Sequence, residues 1–362
     1  MKWYTLLLIV CLLTGCTIKK EIVEDIYIAL GTAVDLAEKT TLEGGNEESG
    51  DELYKITISV PTFHSNQKIE SQFYEGKGDN LKSVMMKMNH TSDQYISNSK
   101  INVLLFSKPI LQLGIQDFTE ILSQDPLLSG RMLLAMTTGN ADHLFQKKYP
   151  HTNQPLGRYL CQVIHNNIKT FGLPLMNLHQ FIYELKGEGM DPVMPIIDAI
   201  DDRVSLTGIA LLKDAAYVGK MSLDEIYPYS WMKQKHTQTS FFKVKLKDRK
   251  ELSIRNLKTK MRYHYSNTNK EMSLYIRLTG KLMESNEAKP VEINTKELNI
   301  MINNQIKIEC ESLVKKFQKL NVDPLGFGND VRAHSKTWNE KVWKQQYPHV
   351  KIKVVVDSRI VK

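Results

Sequence analysis

Cysteine is scarce here, with four in 362 residues. Cys11 and Cys16 sit near the N-terminus, which leaves only Cys161 and Cys310 to pair in a folded body and excludes a disulfide-stapled scaffold. Both lie among apolar residues on predicted helices, so two buried free thiols are expected. Long hydrophobic runs are also missing: after the N-terminal stretch, none reaches the roughly 20 residues of a membrane-crossing helix. His-Glu-x-x-His, Gly-x-Ser-x-Gly and a phosphate-cradling glycine loop are absent, so no protease, hydrolase or nucleotide site can be assigned from motifs. No repeat at a solenoid or propeller period and no low-complexity tract is visible.

What is present is ordinary for a globular chain. Hydrophobic residues at 42% and charged residues at 24% argue against wholesale disorder. The 48 Lys and Arg against 40 Asp and Glu leave a formal charge of +8. The lysines are spread along the chain rather than gathered in a block, so the pattern is a solvated surface facing anionic lipid or wall polymer, with no nucleic-acid partner expected.

The N-terminus carries the most specific signal. Lys2 precedes an apolar run from Trp3 to Leu13, interrupted only by Thr5, and then Leu13-Thr14-Gly15-Cys16. A basic start, a short greasy run and a small residue before cysteine form a lipobox. Cleavage is expected between Gly15 and Cys16, with a diacylglycerol on the Cys16 thiol. Each buried CH₂ contributes about 0.8 kcal/mol, so two or three acyl chains hold a protein stably on a membrane. The competing readings are a secretory signal with an incidental cysteine and an uncleaved signal anchor. On the lipobox reading the signal peptide is 1–15, the lipidated tether 16–22, and the mature protein sits on the outer face of the membrane.

Further along, Ile26–Gly31 reads as a strand partnered by Tyr54–Val60, with the acidic, glycine-rich loop Glu43–Asp51 between them. Helices are predicted at Leu81–Met88, Gln112–Leu122, Ala141–Lys147, Leu156–Ile168 and Asn177–Leu185, a strand of the buried kind at Ile101–Phe106 and another strand at Leu133–Thr137. The breaker cluster Lys186–Pro192, stiffened by Pro195, marks a boundary. An N-terminal α+β domain is therefore expected over 23–186. A small middle domain over 187–235 holds a hairpin, Ser205–Leu212 with Ala216–Lys220. A C-terminal α+β domain covers 236–362, with strands at Phe241–Lys247 and Met272–Leu282 expected to be antiparallel with one wet face. Thr295–Leu320 is the longest helix, capped by Asn294 and Glu297 and ended by Asn321. A loop, a helix over Trp338–Tyr347 and a closing strand from Val350 follow.

Several residue sets invite a chemical reading. Ser65–Lys68, Ser97–Lys100 and Ser312–Lys315 have Ser-x-x-Lys spacing, but no Lys-Thr-Gly accompanies them and such tetrads arise by chance in a lysine-rich chain. Cys161 and His165 share a helix face, open to reading as two metal corners or as core packing. Trp338 and Trp343, with Phe327 before them, form either an aromatic platform for a ligand or a plug on the last sheet. No catalytic residue, metal site or cofactor is assigned.

One combination of residues is more telling. The long helix leads into Asp323-Pro324-Leu325-Gly326-Phe327-Gly328, then Arg332, the pair Trp338 and Trp343, and a valine-rich terminal strand. Upstream stand Gly189-Met190-Asp191-Pro192-Val193-Met194-Pro195 and Gly208–Asp214 leading to Val218-Gly219-Lys220. With the lipobox, this set resembles the Ger(x)C family, the lipoprotein C subunits of spore germinant receptors. Ala215-Ala216 departs from the usually more polar hairpin. The resemblance implies a three-domain α+β fold, each domain a mostly antiparallel or mixed sheet with packed helices. It also implies a noncatalytic subunit working in nutrient-triggered spore germination with two integral-membrane partners, the receptor A and B subunits, at the inner spore membrane. The residues alone account for Gly326 and Gly328 as a sharp turn that drops Phe327 into the core, with a ligand role as the alternative. The alternative function is a solute-binding lipoprotein of an importer, which needs two similar lobes around a cleft. A wall-modifying enzyme needs a nucleophile, metal or acid pair that the motifs do not supply.

Overall fold

A computed structural model describes residues 26–37, 53–63, 69–233, 240–245, 251–266, 270–285 and 294–361. Cys16, Gly15, the tether 16–22, the acidic stretch 43–51 and the tetrad Ser65–Lys68 lie outside the described residues.

The strands in chain order are β1 (Ile26–Ile28), β2 (Gly31–Leu36), β3 (Tyr54–Phe63), β4 (Ile69–Gly78), β5 (Tyr95–Ser97), β6 (Val103–Ser107) and β7 (Leu133–Thr137), then β8 (Val193–Ile200), β9 (Arg203–Lys213), β10 (Ala216–Met221), β11 (Ser240–Lys245), β12 (Glu251–Ser266), β13 (Glu271–Ser285) and β14 (Lys351–Val361). β6 and β7 are buried at every position, the pattern of strands covered on both faces. They form the centre of an eight-stranded sheet of order β10-β9-β8-β7-β6-β2-β3-β4. Its four middle strands run parallel, and an antiparallel pair extends each side. Helices pack on this sheet because their apolar stripes need cover. In Leu156–Phe171 the stripe is Leu156, Leu160, Ile164 and Ile168. The whole is α+β, as expected.

Several local expectations needed correction. The first strand ends at Ile28 and pairs in parallel with β5, while β2 is the partner of β3. β2 carries a glycine and an aspartate, which disguised it. Asp35 is tolerated in a buried strand because its carboxylate accepts the amide N–H groups of Ala141 at 2.7 Å and Asp142 at 2.9 Å. The helix expected over Gln112–Leu122 is two helices, Lys108–Leu113 and Gln116–Gln124, parted at Gly114, which has φ 95°. Residues 187–235, expected as a small unit of their own, supply β8, β9 and β10 to the large sheet, and Pro195 lies inside β8 rather than in a linker. At the β9–β10 turn, Asp214 and Ala215 both have positive φ, 47° and 63°. Ala215 is fully buried there, so an apolar residue fits where a polar one is usual.

The smaller sheet has the order β11-β12-β13-β14. β12 was not anticipated because its inward positions change parity: Leu252, Ile254 and Asn256 are buried, then Thr259 and Met261. A bulge between Asn256 and Lys258 causes the switch, and Asn256 Nδ2 donates to Thr259 Oγ1 at 2.9 Å beneath it. β14 runs parallel to β13, so the sheet is mixed rather than wholly antiparallel.

The helix Thr295–Leu320 covers this sheet, burying Leu298, Ile302, Ile306, Cys310, Leu313, Val314 and Phe317. Asn294 caps it by accepting from Lys296 N at 2.9 Å rather than from Glu297, and Asn321 ends it in the left-handed conformation at φ 52°. Helix Ile226–Lys233 is buried between the two sheets' layers. Tyr229 meets Phe317 edge-on at 6.3 Å and Trp231 meets Phe242 at 5.0 Å. Among the described residues no helix is long and apolar enough to cross a membrane.

Candidate functional site

The two blocks singled out in the sequence, Gly189–Pro195 and Asp323–Gly328, meet at the seam between the large-sheet and small-sheet portions. Asn321 turns the chain out of the long helix, and Asp323 then caps the next one. Its carboxylate accepts Phe327 N at 3.0 Å and Gly328 N at 2.8 Å, satisfying amides at the start of helix Phe327–His334. A loop was expected there; the polar run Asn329–His334 hid a helix held in place by this cap. Gly326, at φ 73°, makes the turn before it.

The upstream block answers residue for residue. Asp191 Oδ2 accepts Asp323 N at 2.6 Å, and Asp191 N donates to Asp323 O at 3.0 Å. Asn329 N donates to Gly189 O at 2.9 Å. Gly189 and Gly328 touch backbone to backbone, and a Cβ on Gly328 would stand 2.6 Å from Gly189 Cα. Phe327 is fully buried against the Tyr263 ring at 5.0 Å, and Leu325 is buried beside it.

Two lysines also tie the seam, one from β9 of the large sheet and one from the end of helix Ile226–Lys233. Lys213 Nζ donates to Asn321 O at 2.6 Å. Lys233 Nζ donates to Pro324 O at 2.7 Å and pairs at 2.9 Å with Glu184, which is buried in helix Leu178–Lys186. Lys213 falls inside the Gly208–Asp214 block, whereas no motif marks Lys233 in the sequence.

The tryptophans form a stack on the small-sheet side. Trp343 is 4% exposed, with ring centroids 6.0 Å from Trp338, 5.8 Å from Tyr347 and 6.2 Å from Tyr265. Trp338 precedes helix Glu340–Gln346, which begins later than expected, and its Nε1 donates to Glu188 of the upstream block. Arg332 Nη2 donates locally, to Asn329 Oδ1 at 3.1 Å.

Electrostatically the seam is strained. Burial pushes the Asp191 carboxyl up to about 6 and the Asp323 carboxyl up to about 7, against the amide donors that favour their charged forms. The space among Asp191, Asp323, Lys213 and Tyr347 is about 20 Å³, the room of a single water. It does not admit a nutrient molecule.

The remaining candidates are dispersed. Cys161 Sγ lies 3.3 Å from His165 Nδ1, but that nitrogen is also 2.9 Å from the Cys161 carbonyl, and no third ligand is gathered there among the described residues. Cys310 is fully buried while Cys161 is only partly so, and both are free. Ser97 Oγ bonds Ser99 Oγ at 3.0 Å at the end of β5.

Comparison with known sequences decides the family. The pattern of the spore germination protein N-terminal domain matches residues 19–199, and that of the spore germination B3/GerAC-like C-terminal domain matches 207–362. The chain belongs to the Ger(x)C family of spore germination proteins. The two Ger(x)C patterns part within the β8–β9 hairpin. Among relatives, spore germination protein GerQC of Bacillus cereus is 23% identical over 366 residues, covering 99% of this chain and 98% of that protein. Putative spore germination protein YfkR of Bacillus subtilis (strain 168) is 22% identical over 377 residues, covering 96% and 93%. The crystal structure of the GerBC protein shares the fold, with a TM-score of 0.57 at 16% identity over 92% of this chain and 99% of that one.

Proposed function

We propose that this Ger(x)C protein is the noncatalytic lipoprotein subunit of a nutrient germinant receptor. Diacylglycerol on Cys16 holds it at the outer face of the inner spore membrane, and it works with the integral-membrane A and B subunits. The observation that carries the reading is the match of both Ger(x)C domains across 19–362, immediately behind the lipobox Leu13–Cys16. The motif geometry supports a noncatalytic role: Asp191 and Asp323 spend their carboxylates on backbone amides and flank a space the size of one water. The motif is then a seam holding two portions of the molecule in one arrangement, and Trp338 and Trp343 plug its edge. The importer reading wants two similar lobes around a ligand cleft, and the unequal sheets of eight and four strands count against it.

The test is a Cys16→Ala substitution in the native host, with membrane retention and nutrient-triggered germination both scored. Release of the protein, with slowed germination to one nutrient class and a normal response to other triggers, is the expected result. Unchanged retention would discard the lipid anchor, and unchanged germination would discard the receptor role.

A further inference from the structure

Helices Leu81–Thr91 and Gln116–Gln124 stand as two walls of a groove of about 670 Å³. Its floor is apolar, with Leu81, Met85 and Leu122 at 4%, 7% and 2% exposure. Its rim mixes large apolar side chains with exposed Lys82, His90 and Gln124. Met86 is 60% exposed, Leu127 60%, Tyr95 53% and Ile121 39%. Four large apolar side chains gathered around one hollow form the kind of exposed patch that marks an interaction site. A second hollow of about 690 Å³ shares Leu122, Asp125 and Leu128 with the first and runs on past Tyr183 to Arg332.

Charge is sparse along the first groove. Lys82 and His90 stand on one wall, and the carboxylate of Asp125 is engaged by Leu127 N at 2.9 Å. The occupant this lining fits is an apolar one, and adjacent Met85 and Met86 supply side chains able to repack around an irregular surface.

The route of the chain places the groove. β1 pairs with β5 so that Ile26 lies opposite Tyr95, which is itself on the rim. The chain therefore enters the described fold beside the groove. Nine residues, 17–25, separate Ile26 from Cys16, and a link of that length reaches at most about 35 Å when fully extended. With Cys16 in the bilayer, the groove lies within one tether length of the membrane surface.

We propose that this groove docks an apolar segment of an integral-membrane protein exposed at the outer surface of the bilayer. The proposal rests on the lipid-anchored reading above. A recessed floor between two helical walls is shaped for inserted side chains, as in helix-in-groove recognition. A bilayer would instead be met by a protruding apolar face with a basic rim.

The test uses the full-length protein in spores, with the photocrosslinking residue p-benzoylphenylalanine placed at Met86 or at Leu127. A control position is Ile308, 66% exposed on the long helix. The expected result is a light-dependent adduct with an integral-membrane polypeptide from both groove positions and none from Ile308. Adducts with lipid, adducts with a second copy of this chain, or no adduct from protein that stays in the membrane would each overturn the proposal. A Met86→Glu, Leu127→Glu double variant provides the functional arm. It should accumulate and stay membrane-bound as the parent does, yet slow nutrient germination at least tenfold. Parental germination by that variant overturns the docking site and leaves the lipid anchor standing. Failure of Cys16→Ala to release the protein overturns the anchor instead.

Discussion

Asp191 and Asp323 form a reciprocal pair: the carboxylate of Asp191 accepts the amide N–H of Asp323 at 2.6 Å, and the carbonyl of Asp323 accepts the amide N–H of Asp191 at 3.0 Å. They stand 132 residues apart in the chain. One is in the loop before β8 and the other in the turn after the long helix, so the pair fixes how the two sheets sit against each other.

Removing the Asp323 carboxylate strands two buried amides, those of Phe327 and Gly328. Asp323→Ala should cost about 2–4 kcal/mol, a lost cap plus unsatisfied donors. Asp323→Asn keeps one acceptor oxygen and should cost less than half as much. Urea unfolding of the purified protein followed by tryptophan fluorescence checks both values, and equal losses would show that the cap is not the source.

The pH dependence follows from burial. Both carboxyls are raised from 3.8, Asp191 to about 6 and Asp323 to about 7. The folded state thus holds protons that the unfolded chain has released. Their stabilising contribution is fully present below pH 3.8 and is lost as pH rises through about 6 and about 7. Thermal stability from these two groups should fall from about pH 4 to about pH 7 and level off above, and Asp191→Asn should flatten the part of the fall below about pH 6. Parallel melting curves for parent and variant across that range make the check.

The facing glycines leave no room for a side chain. Gly328→Ala would place a Cβ 2.6 Å from Gly189 Cα, and forcing the seam apart should cost roughly 1–3 kcal/mol. Gly189→Ala adds the strain of a side chain at φ 72° and should be at least as harmful. Limited proteolysis reads the effect, with faster cutting in the 187–192 loop of either variant. Cutting at the parental rate would mean that the seam relaxes without opening.

The thiols should differ in reactivity. Cys310 is fully enclosed, and burial raises both thiols' pKa, that of Cys310 well above the ordinary value. A thiol reagent should modify Cys161 slowly in the native protein and Cys310 only after unfolding. Mass mapping of the labelled peptides distinguishes the two.

Elements set by their own residues were legible. The Thr295–Leu320 helix is found with its expected bounds and left-handed end at Asn321, and Leu133–Thr137 is found as a fully buried strand, because an apolar stripe and a cap are local facts. Elements that depend on a distant partner were not. β2 goes unassigned in the sequence because Asp35 becomes tolerable in a buried strand only when the amides of Ala141 and Asp142 reach it, and β12 loses its alternation at the Asn256 bulge. The helix Phe327–His334 is polar enough to pass for a loop until Asp323 caps it. The direction of β14 was beyond reach for the same reason, since antiparallel and parallel strands show similar alternation.

By itself the sequence determined the Ger(x)C resemblance, the α+β class and most helices, all of which rest on spacings of a few residues. Only the tertiary structure decided that β8, β9 and β10 continue the large sheet, and that Gly189 lies on Gly328 and Asp191 on Asp323. Those contacts depend on which backbones come within hydrogen-bonding distance after more than a hundred residues of chain have folded between them, and local residue preference carries no record of that.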